Sequence, residues 1–125
     1  MKKSLEKIMS VLEIRTGAAW SVNDCGDENW EFSTYSPEGE NVVITLSGVT
    51  LAGLAENAKE AWENFDEEEH AAEIFVAKRN GPDYRREYYA AAPDSLRALL
   101  DDARDVKAMF KALYEELSKE GGYHG

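Results

Sequence analysis

The stretch PDSLRALLDDARDVKAMFKALYEELSKE, Pro93 to Glu120, decides how the rest of the chain is read. Leu96, Leu99, Leu100, Ala103, Val106, Phe110, Leu113 and Leu117 recur there at steps of three and four. That is the period of a helix with one apolar stripe, held for about seven turns. Pro93 and Asp94 suit its start, and Gly121–Gly122 its end. Such a helix can be the spine of a small domain, with Leu99, Val106, Phe110 and Leu113 in the core. The stripe also falls into two rows seven residues apart, positions 96, 103, 110, 117 and 99, 106, 113. Rows of that kind suit intramolecular packing or a dimer seam. Other elements of the chain need covering, so a monomer is expected, with a homodimer as the alternative.

Upstream, Lys3 to about Ile14 reads as a first helix, with Leu5, Ile8, Met9 and Leu12 on one face, Ser4 as N-cap and Gly17 as stop. From Ala18 to Gly48 the period changes to two. Trp20 and Val22, then Trp30, Phe32 and Thr34, then Val42, Val43, Ile44 and Leu46 mark three strands. Turn formers separate them at Asn23–Asn29 and Pro37–Glu40. Short turns favour an antiparallel meander. Thr50 opens a helix to about Asn64, carrying Leu51, Leu54, Ala55, Ala58 and Trp62 on one side. Asp66, with Glu69 three residues on, resembles a capping box and starts another helix that Gly81-Pro82 stops. Asp83 to Ala92 suits a short helix or an ordered loop. The fold class is therefore α+β, as a single domain over residues 1–125. An N-terminal helix precedes a three-stranded antiparallel sheet, and two to three helices follow, ending in the long C-terminal one.

Charge narrows the functional classes. The 125 residues hold 25 acidic and 14 basic side chains, a formal net charge of −11. Phosphates would repel so acidic a surface, so broad nucleic-acid binding is not expected, whereas a protein built to hold nucleic acid would attract it. Acidity that merely keeps a protein soluble is the simpler account. Cys25 is the one cysteine, which excludes an internal disulfide framework and a four-cysteine zinc site. No apolar run approaches the roughly 18 residues of a membrane span. A cytoplasmic setting without membrane contact is expected, and no cofactor, metal or catalytic residue.

Four features could carry function. Glu56, Glu60, Glu63, Asp66, Glu67, Glu68, Glu69 and Glu73 form an acidic run that only Lys59 interrupts. Carboxylates spaced along a helix pair could imitate the phosphates of a nucleic-acid strand; a solvated, well-capped helix pair explains the same run. Tyr84, Arg85 and Arg86, with Lys78, Arg79, Tyr88 and Tyr89 nearby, have an interface composition, or pair locally with Asp83 and Glu87. Asp101, Asp102 and Asp105 could be hydrolytic carboxylates, but Arg97, Arg104 and Lys107 stand at ion-pairing positions, and a surface charge face is expected. His70 beside the glutamates lacks a second histidine at ligand spacing.

Three segments carry a resemblance: Asn29-Trp30-Glu31-Phe32 through Tyr35-Ser36-Pro37-Glu38-Gly39-Glu40; Phe65-Asp66 with Glu69-His70-Ala71; and Pro93-Asp94-Ser95-Leu96-Arg97 with Asp102-Ala103. In this order the chain resembles small acidic proteins of phages and mobile elements of Gram-positive bacteria, over about two thirds of its length. Proteins of that kind include anti-CRISPR and anti-restriction inhibitors. The resemblance implies, by kind, a non-enzymatic inhibitor of a bacterial nucleic-acid-binding defence protein; the acidic surface makes a Cas9-type effector, with its basic channel, the specific expectation, its DNA binding blocked by a DNA mimic. An accessory or regulatory interaction module of a mobile element is the alternative.

Overall fold

The computed structural model describes residues 1–121. Their elements run α1 (Lys2–Thr16), β1 (Ser21–Gly26), β2 (Asn29–Tyr35), β3 (Asn41–Ser47), α2 (Leu51–Asn64), α3 (Glu67–Asn80), α4 (Asp83–Tyr88) and α5 (Leu96–Gly121). The architecture is the expected α+β one. The glycine-rich tail from Gly121 to Gly125 reads as loose in the sequence; apart from Gly121 it lies outside the described residues.

Alternation builds the sheet. The strands form an antiparallel meander in the order β1-β2-β3. Trp30, Phe32 and Thr34 of β2 stand opposite Leu46, Ile44 and Val42 of β3, and all six are buried. The intervening positions face outward, Val43 among them. Asn23, Asp24 and Cys25 belong to β1 rather than to the turn, which is shorter than the run of turn formers suggested. Asp27 and Glu28 make the turn with φ of 52° and 65°, as a tight hairpin requires.

The helices cover the inner face of the sheet. Leu5, Ile8, Met9 and Leu12 of α1 join Leu54, Ala55 and Ala58 of α2 and Val106, Met109, Ala112, Leu113 and Leu117 of α5 in the main core. A second cluster joins Ala71 and Ile74 of α3 to Ala92, Leu99 and Ala103. Phe65 packs on both. Leu99, Ala103, Val106, Leu113 and Leu117 of the spine stripe are thus covered by elements of the same chain.

Capping sets the boundaries. Thr50 and Asp66 accept from the backbone N–H groups of Gly53 and Glu69, each at 3.0 Å. Ser4 lies inside α1, whose N-cap is Met1 and whose C-cap Gly17 is left-handed with φ 76°. The spine helix begins at Leu96 and not at Pro93, because the Ser95 hydroxyl accepts the Ala98 N–H at 3.1 Å. Leu96 is consequently exposed. Phe110 is half-buried rather than core, because its ring borders a surface cavity while packing on Phe65 at 4.9 Å between centroids. Gly121 is the last described residue and belongs to α5. Among the described residues no helix is long and apolar enough to cross a membrane.

Candidate functional site

The buried polar groups gather where the β2–β3 turn meets α5 and α3. Inward parity does not stop with the strands: Ser36 follows Trp30, Phe32 and Thr34 by twos, and Glu40 precedes Val42, Ile44 and Leu46 by twos. Both side chains therefore point into the protein, and both are 5% exposed. The turn ties itself closed. The Ser36 N–H donates to the Glu40 carbonyl at 2.8 Å, the Glu40 N–H to the Ser36 hydroxyl at 2.9 Å, and the Gly39 N–H to the Ser36 carbonyl at 2.9 Å. Gly39 has φ 90° there, a conformation that costs glycine little.

Asp102 of α5 then clamps the turn. It is 1% exposed. The Ser36 hydroxyl donates to its Oδ2 at 2.8 Å and the Glu38 N–H to its Oδ1 at 3.3 Å. On the other side of Glu40, Oε1 lies 2.7 Å from His70 Nε2 of α3. This contact is an ion pair when His70 is protonated and a hydrogen bond otherwise. Burial pushes the Asp102 carboxyl up to about 6, and the neighbouring Glu40 carboxyl adds to the rise. The Ser36 hydroxyl and Glu38 N–H, which favour the ionised form, offset part of it.

A half-open cavity of about 130 Å³ reaches the Glu40–His70 end of this cluster. Phe65, Phe110, Tyr88 and Tyr89 also line it. His70 stacks at a tilt on Phe65, 5.0 Å between centroids, and Tyr88 meets Tyr89 edge to face at 4.8 Å.

The acidic run forms a separate feature. Glu56, Glu60, Glu63, Asp66, Glu68, Glu69 and Glu73 are exposed. Glu67 is half-buried and lies 3.5 Å from Lys107, and Glu73 lies 3.2 Å from Arg85. Lys59 is therefore not the sole cation beside the run. Three adjoining depressions follow it: one at the β3–α2 edge includes Glu60 and Asn64, the next Glu56, Glu60 and Glu63, and the last Glu63, Asp66, Glu67 and Glu68. Shared residues make them one acidic track.

The arginine-tyrosine group does not gather into one basic patch. Arg85 turns to Glu73 and Arg86 to Asp83. Arg79 lies over the Phe75 ring at 3.9 Å and Lys78 pairs with Asp94 at 2.8 Å. Tyr84 and Tyr88 remain exposed. The three aspartates of α5 are not one charge face either. Asp101 pairs with Arg104 at 3.3 Å on the surface and Asp105 is exposed, while Asp102 points inward. Asp102 escapes the expected surface role because it sits at helical spacing inside the stripe of Leu99, Ala103 and Val106.

Searches against known protein families, curated proteins and solved structures find no match. The functional reading therefore rests on the geometry of this chain. Ser36, Glu38 and Glu40 come from the β2–β3 turn, His70 from α3 and Asp102 from α5. Asp102 holds a turn through two donors, which is a structural role. Glu40 and His70 reach a cavity, which permits ligand contact.

Proposed function

We propose that this chain is a non-enzymatic binding module that presents its acidic α2–α3 track to a basic, nucleic-acid-handling protein and so denies that protein its DNA. The partner class suggested by the resemblance is a bacterial defence nuclease of the Cas9 type, inhibited in the cytoplasm. One observation carries the reading: exposed carboxylates line three depressions that merge into a single track, with Lys59 and Lys107 as the basic side chains along it. Such a surface is steered toward a basic channel and competes there with phosphates. Exposed Tyr84, Tyr88 and Val76 favour a second reading, an accessory module docking through the α3–α4 surface. Competition for DNA on a purified, guide-loaded Cas9-type effector separates the two. Inhibition by the track weakens steeply between about 50 and about 200 mM salt. Undisturbed DNA binding at low salt removes the proposal, and salt-independent inhibition transfers it to the aromatic surface.

A further inference from the structure

We propose that the cavity bounded by Glu40, His70 and the rings of Phe65, Phe110, Tyr88 and Tyr89 is a binding site for the alkylated ammonium head of an organic cation. The inference is independent of the acidic track, from which this site differs in everything but Phe65.

The cavity holds about 130 Å³. A cavity of about 150 Å³ takes a benzene ring, so a compact head of a few carbons is the right size. Four aromatic side chains line it, from α2–α3, α4 and α5. Aromatic rings carry negative faces and attract a cation that has shed part of its water. Glu40, 5% exposed, supplies a carboxylate at the polar end, and Asp102 stands behind it. An anion would meet two buried carboxyls. A neutral apolar guest would cover the Glu40–His70 pair, joined at 2.7 Å, and bring no charge to the buried carboxylate. A hard metal ion wants several oxygen ligands, and among the described residues no group of three or more acidic, histidine or cysteine side chains is placed to hold one. An alkylammonium head satisfies both halves of the wall, its charge facing Glu40 and its methyl groups facing the rings. Arg85 borders the site through the Tyr89 hydroxyl, but its ion pair is with Glu73 at 3.2 Å and not with Glu40.

The head could belong to a free small molecule or to a methylated lysine of a protein. The test titrates the whole chain with tetramethylammonium chloride, N-acetyl-trimethyl-lysine amide, neopentyl alcohol as the neutral isostere, and sodium chloride at matched ionic strength. Proton shifts of Phe65, Phe110, Tyr88 and Tyr89 are followed by NMR. Both ammonium probes are expected to shift these rings saturably, at least about tenfold more tightly than neopentyl alcohol. Tetramethylammonium matching the lysine probe assigns a free cation; the lysine probe binding about tenfold tighter assigns a partner's side chain. Glu40→Gln should weaken either by about tenfold, and Tyr88→Ala, at an exposed position, should weaken it without disturbing the core. If Glu40→Gln does not fold, the Tyr88 variant and the charged-against-neutral comparison decide alone. Equal binding of neopentyl alcohol, or no saturable shift of these rings with either ammonium, overturns the proposal.

Discussion

Asp102 and Ser36, 66 residues apart in sequence, are joined by a buried 2.8 Å hydrogen bond that fastens the β2–β3 turn to the spine helix. The same carboxylate accepts the Glu38 N–H, so one side chain positions the turn that presents Glu40 to the cavity. Because Asp102 is buried with its carboxyl raised to about 6 from 3.8, the bond has a pH signature. The folded state holds this proton more tightly than the unfolded chain does. The resulting stability is fully present below about pH 4 and is lost as pH rises through about 6. Glu115, held low by Arg15, works in the opposite sense at more acid pH. Asp102→Asn removes the titration and keeps a side-chain acceptor. Relative to that variant, the wild type should lose about 2–3 kcal/mol between about pH 4 and pH 7 in urea melts. A constant difference across that range would show that Asp102 does not titrate there.

The spine helix, the three strands and the caps at Thr50 and Asp66 were legible because each is written in local periodicity or in a side chain three residues from its partner. The polar cluster was not, because Ser36, Glu40, His70 and Asp102 look like ordinary surface residues when read one at a time. A signal was nonetheless present. Asp102 keeps the spacing of Leu99 and Val106, and Ser36 and Glu40 keep the inward parity of their strands. A polar residue in phase with a buried pattern marks a buried partner. Which polar residues meet was beyond the sequence, since the clamp joins positions 64 and 66 residues apart. The acidic run was readable as composition, but its joining into one track depends on how α2, α3 and β3 meet.

The spine stripe is uneven in its contribution. Leu113 is 0% exposed within the main core, whereas Phe110 borders the cavity. Leu113→Ala should cost about 3–5 kcal/mol. Phe110→Ala should cost less, about 1.5–3 kcal/mol, because part of the ring already meets water. Denaturant melts that reverse this order would place the Phe110 ring deeper than Leu113.

Gly81 ends α3 for a steric reason. Its φ is −74°, not left-handed, but a Cβ there would stand 2.5 Å from the Ala77 carbonyl oxygen that accepts its N–H. Gly81→Ala should therefore destabilise by about 1–3 kcal/mol, although the φ at this position is open to alanine. An unchanged melting temperature would mean that the α3–α4 junction relaxes freely around the added methyl.

The acidic track makes the final prediction. Glu56, Glu60, Glu63 and Glu68 are exposed, and among the described residues none has an ion-pair partner whose loss would confound the result. Glu67 is left intact because it pairs with Lys107. Reversing the four to lysine keeps long, helix-compatible side chains. Three of the changes fall in α2 away from its first turn; Lys at position 68, in the first turn of α3, should cost about 0.5 kcal/mol against the helix dipole. Stability should thus stay close to wild type while the field along the track changes sign. Steered association with a basic partner depends on that field collectively, so the variant should lose competition with DNA for a Cas9-type effector. Reversing Arg85 and Arg86 should leave the competition intact. A folded four-lysine variant that still competes at full strength would remove the mimicry reading, and loss of competition only in the arginine variant would move the interface to α4.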